Sequence, residues 1–180
     1  VAAHAGLRLV LAGYLGCEAA SVPIAAGALG KPLLSGPHSV PPAACPPVAV
    51  PEQLGTLQAA GGTISFNLSH SGEWGLLAVG LQRYIGVDIE QERELPDVAQ
   101  LGRTVLTSGE AAVLDECEPE RRASCFLAMW TRKEAAVKAM GIGIGAPLET
   151  IEIEPADPAV ADAFTVRAGW GGGPHLFGRT

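Results

Sequence analysis

The stretch 126–138, Phe-Leu-Ala-Met-Trp-Thr-Arg-Lys-Glu-Ala-Ala-Val-Lys, constrains the fold more than any other part of the chain. Stepped at about 100° per residue, it gives a helix with an apolar stripe at Phe126, Trp130, Val137 and Met140. Lys133 falls inside that stripe and Glu134 on its edge. A charge on a core-facing stripe is costly unless it is paired or binds something. Glu134 and Lys138 also have the spacing of an ordinary surface pair, and long charged side chains can snorkel. The helix alone leaves these readings open.

Three further segments bear on the choice. Tyr84-Ile-Gly-Val-Asp-Ile-Glu90 alternates as a β-strand does, with Ile85, Val87 and Ile89 on one face and Gly86, Asp88 and Glu90 on the other. Two carboxylates on one strand face repel unless a cation sits between them, and Mg²⁺ typically takes one or two carboxylates plus phosphate oxygens and water. Ile64-Ser-Phe-Asn-Leu-Ser-His-Ser-Gly72 reads as an apolar strand ending in small hydrogen-bonding residues, able to present hydroxyls, N–H groups and an imidazole to an anion. Gly30-Lys31-Pro32 holds a lysine between a flexible and a rigid residue. Each alone is weak, since a solvated strand edge or a polar turn would look the same.

Composition sets the outer bounds. At 180 residues the chain suits one compact domain or two small lobes. A formal charge of -7 argues against non-specific nucleic-acid binding, which needs a basic surface. Gly, Pro or a charge breaks each long apolar run, so no membrane span is expected, and residues 7–16 are too short for one. They also lack the basic flank of a signal peptide. Cys17, Cys45, Cys117 and Cys125 show no zinc spacing and read as reduced thiols of a cytoplasmic protein.

The pattern predicts a helix over 1–15 stopped by Gly16, an irregular proline-rich loop over 35–53, and strands at 63–67, 75–81 and 84–90. A helix is expected over 97–106. Thr107-Ser-Gly-Glu110 fits a capping box opening a short helix to about 116. The long helix spans 119–140, with Pro119 in its first turn and Gly141 ending it. Gly141–Gly145 reads as a C-cap and turn, and strands are expected near 150–154 and 163–167.

Together and in this order, Gly30-Lys31-Pro32, Phe66–Ser71, Gly86–Glu90 and Trp130–Lys138 resemble the signature of the 4′-phosphopantetheinyl transferases of the surfactin type. The resemblance runs from about residue 1 to about residue 153. It implies an α+β fold of two similar α/β lobes in a pseudo-twofold arrangement, divided as 1–82 and 83–180, with the metal site in the second. Both ends depart from the pattern, so an incomplete N-terminal lobe is expected. The implied activity moves the phosphopantetheine arm of coenzyme A onto a serine of an apo acyl or peptidyl carrier protein.

The resemblance also implies roles. Asp88, Glu90 and Glu134 would hold Mg²⁺, with Glu134 as base or ligand. Lys133 and Lys138 would neutralise phosphate charge. Lys31, Pro32, Ser69 and His70 would bind the nucleotide end of coenzyme A, His70 at its 3′-phosphate. Phe126 and Trp130 would be core anchors rather than ligands. The carrier protein would dock beside the long helix, near Arg132 and the apolar residues of 101–114. A monomer without nucleic-acid or membrane partners is implied. Two alternatives stand beside this: a truncated inactive relative that binds coenzyme A or carrier protein, and a Mg²⁺-dependent nucleotide hydrolase.

Overall fold

The computed structural model describes residues 2–26, 32–35, 64–81, 85–141, 145–155, 163–168 and 176–179. Lys31, Tyr84, residues 142–144 and nearly all of the proline-rich segment lie outside them. The architecture is α+β. Helix α1 (Ala2–Leu15) is followed by the short strands β1 (Ile24–Ala26) and β2 (Pro32–Leu34), then by β3 (Ile64–Ser71) and β4 (Trp74–Leu81). Helices α2 (Val98–Val105), α3 (Ser108–Glu116) and α4 (Arg122–Met140) come next. Strands β5 (Ile151–Pro155), β6 (Ala163–Ala168) and β7 (Leu176–Arg179) complete the order. β1–β2 and β3–β4 are antiparallel pairs, and β5–β6–β7 is an antiparallel three-stranded sheet.

One core lies under α1. Leu7 and Leu11, one helical turn apart, are buried against Val22, Leu34, Ile64 and Phe66. Gly16, at φ 63°, follows the helix as expected. The second core lies around α4. Phe126 and Leu127 pack with Leu106 and Leu114. Further along, Ala136 and Val137 pack with Leu148 and Ile151. Trp130 touches both groups and stacks on Phe126, with ring centroids 6.3 Å apart. Gly141 ends the helix in the left-handed region, φ 71°, where a side chain would be strained.

The helices follow the expected pattern closely. Asp97 caps α2 by accepting from the Gln100 N–H at 2.9 Å. Thr107 and Glu110 close the capping box of α3. A 3₁₀ turn at Pro119–Arg121 leads into α4. Four strands differ from expectation. β3 runs on through Ser71. β1 and β2 are additional, and so is β7. Among the described residues no helix is long and apolar enough to cross a membrane.

The expected strand over 84–90 requires correction. Residues 85–90 are extended in sequence pattern but join no strand ladder among the described residues. They lie beside β3 and are held by its side chains. Asn67 Oδ1 accepts from the Val87 N–H at 2.8 Å, and Ser71 Oγ accepts from the Gln91 N–H at 3.0 Å. Gly86 passes so close to α4 that an added Cβ would overlap the Ala135 carbonyl oxygen and the Ala139 nitrogen. The segment is wedged between β3 and α4, and that position carries two of its carboxylates toward the helix.

Candidate active site

The alternation of β3 builds the floor of the site. Ile64, Phe66 and Leu68 face the α1 core, so Asn67, Ser69 and Ser71 face the other way. Asn67 and Ser69 are buried there, beneath the 85–91 segment. Ser69 Oγ donates to Asp88 Oδ1 at 2.7 Å, and Ser71 Oγ donates to Glu90 Oε2 at 3.0 Å. Small polar residues at every second position thus replace a backbone ladder with a side-chain one.

Helix α4 closes the site from the other side. Lys138 Nζ donates to Asp88 Oδ1 at 2.5 Å and to Ser69 Oγ at 3.1 Å. The Asp88 side chain is 6% exposed and that of Lys138 28%. Asp88 Oδ2 is buried and has no hydrogen-bond partner among the described residues. Leaving such an oxygen unpaired costs about 1–3 kcal/mol. Glu134 stands one turn before Lys138. Burial, and then the Asp88 charge, push its carboxyl above the ordinary range; Lys138 draws it partly back and Glu90 raises it further. Glu90 goes the other way. Burial pushes it up, but hydrogen bonds from Arg93 and Ser71, the Arg93 charge and a hydrogen bond from Trp130 outweigh this and lower it. Its pair with Arg93 measures 2.9 Å.

Lys133 is the clear correction. It is fully buried, and all three of its ammonium donors are used. They go to Glu110 Oε2 at 2.6 Å, the Leu148 carbonyl at 2.8 Å and the Ile151 carbonyl at 2.5 Å. No donor is left for a phosphate. Burial lowers its pKa, and the bond and charge of Glu110 offset part of this. Glu110 is equally committed: Oε2 also accepts from the Thr107 N–H at 2.9 Å, and Oε1 accepts from the Ile153 N–H at 3.0 Å.

The structure therefore brings Ser69, Asp88, Glu90, Glu134 and Lys138 into one neighbourhood and leaves Lys133 outside it. His70 is exposed on the opposite face of β3 from Ser69. Pro32 is the first residue of β2 and half-buried. Lys31 lies outside the described residues. Trp130 is more than the expected core anchor, since its indole also helps to lower the Glu90 pKa. Asn67, Ser71 and Arg93 are site residues that the sequence reading missed. The signal for the first two was the period-2 spacing of small polar residues in β3.

Does this arrangement suit a divalent cation? Among the described residues no three Asp, Glu, His or Cys side chains are grouped as a ready cage. Arg93, Ser71 and Trp130 hold Glu90 aside. The donors are nonetheless hard carboxylate oxygens, and the unpaired Asp88 Oδ2 is a free acceptor. That set fits Mg²⁺ in its usual manner, with few protein ligands and the rest from phosphate and water.

Known proteins match this same region. Residues 84–168 match the family model described as the 4′-phosphopantetheinyl transferase superfamily. The 4′-phosphopantetheinyl transferase HetI of Nostoc sp. is 36% identical over 155 residues, covering 85% of this chain and 56% of that protein. The 4′-phosphopantetheinyl transferase AcpT of Escherichia coli K12 is 36% identical over 112 residues, covering 62% of this chain and 55% of that protein. The 4′-phosphopantetheinyl transferase of Bacillus subtilis is 30% identical over 92 residues, covering 51% of this chain and 40% of that protein. The chain thus spans about half the length of the curated relatives it matches. The matched segment contains Asp88, Glu90, Glu134 and Lys138, and over it the chain is similar to the 4′-phosphopantetheinyl transferase superfamily.

Proposed function

We propose that this chain carries the transfer chemistry of a 4′-phosphopantetheinyl transferase. Coenzyme A would supply the phosphopantetheine arm and the serine of an apo acyl or peptidyl carrier protein would receive it, with 3′,5′-ADP as the second product. The observation that carries this reading is the Asp88–Lys138–Ser69 group, in which one buried oxygen of Asp88 has no partner. A carboxylate held by a lysine, with a lone pair to spare, suits a pyrophosphate that arrives with its cation.

Lys138 would sit against the pyrophosphate and stabilise charge moving toward the leaving oxygen. Ser69 keeps Asp88 oriented and shares the Lys138 ammonium. Mg²⁺, held by Asp88 with Glu90 or Glu134, would neutralise phosphate charge. Where Asp88 and Glu90 hold the ion, Glu134 would take the proton of the attacking serine hydroxyl. A carboxyl raised above its ordinary range is the better base near neutral pH. His70, Lys31 and Pro32 would bind the nucleotide end of coenzyme A. The two-lobe division at 82/83 belongs to the same proposal. It puts the site astride the boundary, with Ser69 from one lobe and Asp88 and Lys138 from the other. A carrier protein would meet the exposed Leu101 and Val113 on α2 and α3. The same reading expects a cytoplasmic monomer that uses neither nucleic acid nor membrane.

The test is the intact mass of an apo carrier protein after incubation with this chain, coenzyme A and Mg²⁺, with and without EDTA. A metal-dependent gain of one phosphopantetheine supports the transfer. Cleavage of coenzyme A at the same rate without carrier protein would identify a hydrolase instead.

A further inference from the structure

The 85–91 segment holds its two carboxylates in the same way. Asp88 Oδ1 accepts from the Ser69 hydroxyl and the Lys138 ammonium. Glu90 Oε2 accepts from the Ser71 hydroxyl at 3.0 Å and from Arg93 Nη1 at 2.9 Å. The proposed mechanism uses Lys138 and gives Arg93 no task. The backbone does not need Arg93 either, because Asn67 and Ser71 already accept from the Val87 and Gln91 N–H groups. Arg93 Nη1 also donates to the Gln91 carbonyl, two residues away, at 3.2 Å. The Arg93 side chain is 51% exposed and that of Glu90 22%.

We propose that Arg93 is a positioning residue that competes with the divalent cation for Glu90, so that Glu90 turns to a cation at Asp88 only as the guanidinium lets go. This role rests on the cation proposed at Asp88, and it names the side chain that sets how tightly that cation is held.

The hydrogen bonds make the two states exclusive. Both lone pairs of Glu90 Oε2 are engaged, one by Ser71 and one by Arg93, so that oxygen has nothing left for an ion. Ser69 and Ser71 lie two residues apart on one face of β3, so the carboxylates they hold are neighbours. Turning the Glu90 side chain, with its backbone left in place, is then enough to bring it beside Asp88. Arg93 can yield at little cost. An ion pair this exposed contributes little stability, and water takes over the released guanidinium. A lost structural contact would loosen the site. A lost competitor tightens it.

The experiment uses the full chain and Mn²⁺ as a hard-cation stand-in for Mg²⁺. Free Mn²⁺ is read by electron paramagnetic resonance at about 0.15 M salt, where distant charges are screened. Arg93→Ala should bind Mn²⁺ about two- to fivefold more tightly than the parent, the range that an exposed ion pair is worth. Arg93→Gln, which keeps most of the bulk, should do the same. Glu90→Gln should weaken binding. Adding Arg93→Ala to Glu90→Gln should leave the affinity at that of Glu90→Gln alone, because the group competed for is gone. If Arg93→Ala binds no more tightly than the parent, or gains as much without Glu90 as with it, the proposal is overturned. Asp88→Asn separates this outcome from the reading beneath it. Loss of Mn²⁺ in Asp88→Asn with no gain in Arg93→Ala removes the role of Arg93 alone. If the parent takes up no Mn²⁺, or Asp88→Asn takes up as much, the cation at Asp88 fails and the role of Arg93 falls with it.

Discussion

Lys133 and Lys138 stand five residues apart on one helix, each against a carboxylate at about the same distance, 2.6 and 2.5 Å. The pairs differ in what remains unsatisfied. Around Lys133 every ammonium donor and both Glu110 oxygens have partners, and the lysine exposes no surface. Around Lys138 the lysine is partly open to solvent and Asp88 keeps an unpaired oxygen. A closed pair serves the fold. An open pair can receive a ligand. Charge, spacing and helix are shared, so the distinction lies in counting donors and acceptors.

The largest expected effect attacks the closed pair. Lys133→Ala strands a buried carboxylate and should cost about 3–5 kcal/mol, lowering the urea midpoint and the melting temperature by about 10 °C or more. If the variant kept its stability and lost only affinity for coenzyme A, the comparison would collapse. Next comes the open pair. Lys138→Met should lower transfer by a factor of about 100–1,000. Its stability cost should be smaller than that of Lys133→Ala, about 1–3 kcal/mol, because Ser69 still donates to the stranded Asp88 and the place of the lysine is partly open to water. A large loss of stability here would show that both pairs are structural.

Gly86→Ala tests the wedge that brings Asp88 to Lys138. The overlap with the Ala135 and Ala139 backbone should cost about 2–3 kcal/mol, read by denaturant titration, and should weaken Mg²⁺-dependent coenzyme A binding as well. The smallest effect concerns pH. Glu134 has a raised pKa in the fold, so the folded chain holds that proton more tightly than the unfolded one. Stability from this source is complete below the unfolded value of 4.5 and is lost as pH rises through the folded one. Glu134→Gln in EDTA should therefore melt slightly higher than the parent at pH 8, by about a degree or two. The difference should fade toward pH 4.5. A variant less stable than the parent at every pH would contradict the raised carboxyl.

Where did the sequence speak clearly? The stripe of α4, the capping box at Thr107 and Glu110 and the stop at Gly141 all depend on local spacing, and all were legible. β1 and β2 were not, since they are three residues each and rich in alanine, proline and leucine, with little strand propensity. The 85–90 segment alternates as a strand does, yet side chains of β3 bond its backbone, and no local pattern distinguishes those cases. Lys133 was correctly marked as a charge in need of a partner. The partner was missed because Glu110 already had a local explanation as a capping residue. In the site, Asp88 and Glu90 were legible as two carboxylates on one face, and Glu134 and Lys138 as charges at the edge of an apolar stripe. Their differing environments were not, because Arg93, Ser71 and Trp130 reach Glu90 only in the folded chain.

The Glu110 carboxylate has a further consequence, in time rather than in space. It bonds the N–H of Thr107 at the start of α3, the ammonium of α4 and the N–H of Ile153 in β5. None of these bonds can be made well while the others are open, because each would leave a charge facing a half-built core. The Thr107 and Ile153 amides, distant in sequence, should therefore exchange their hydrogens with one shared opening energy, as members of a single cooperative unit.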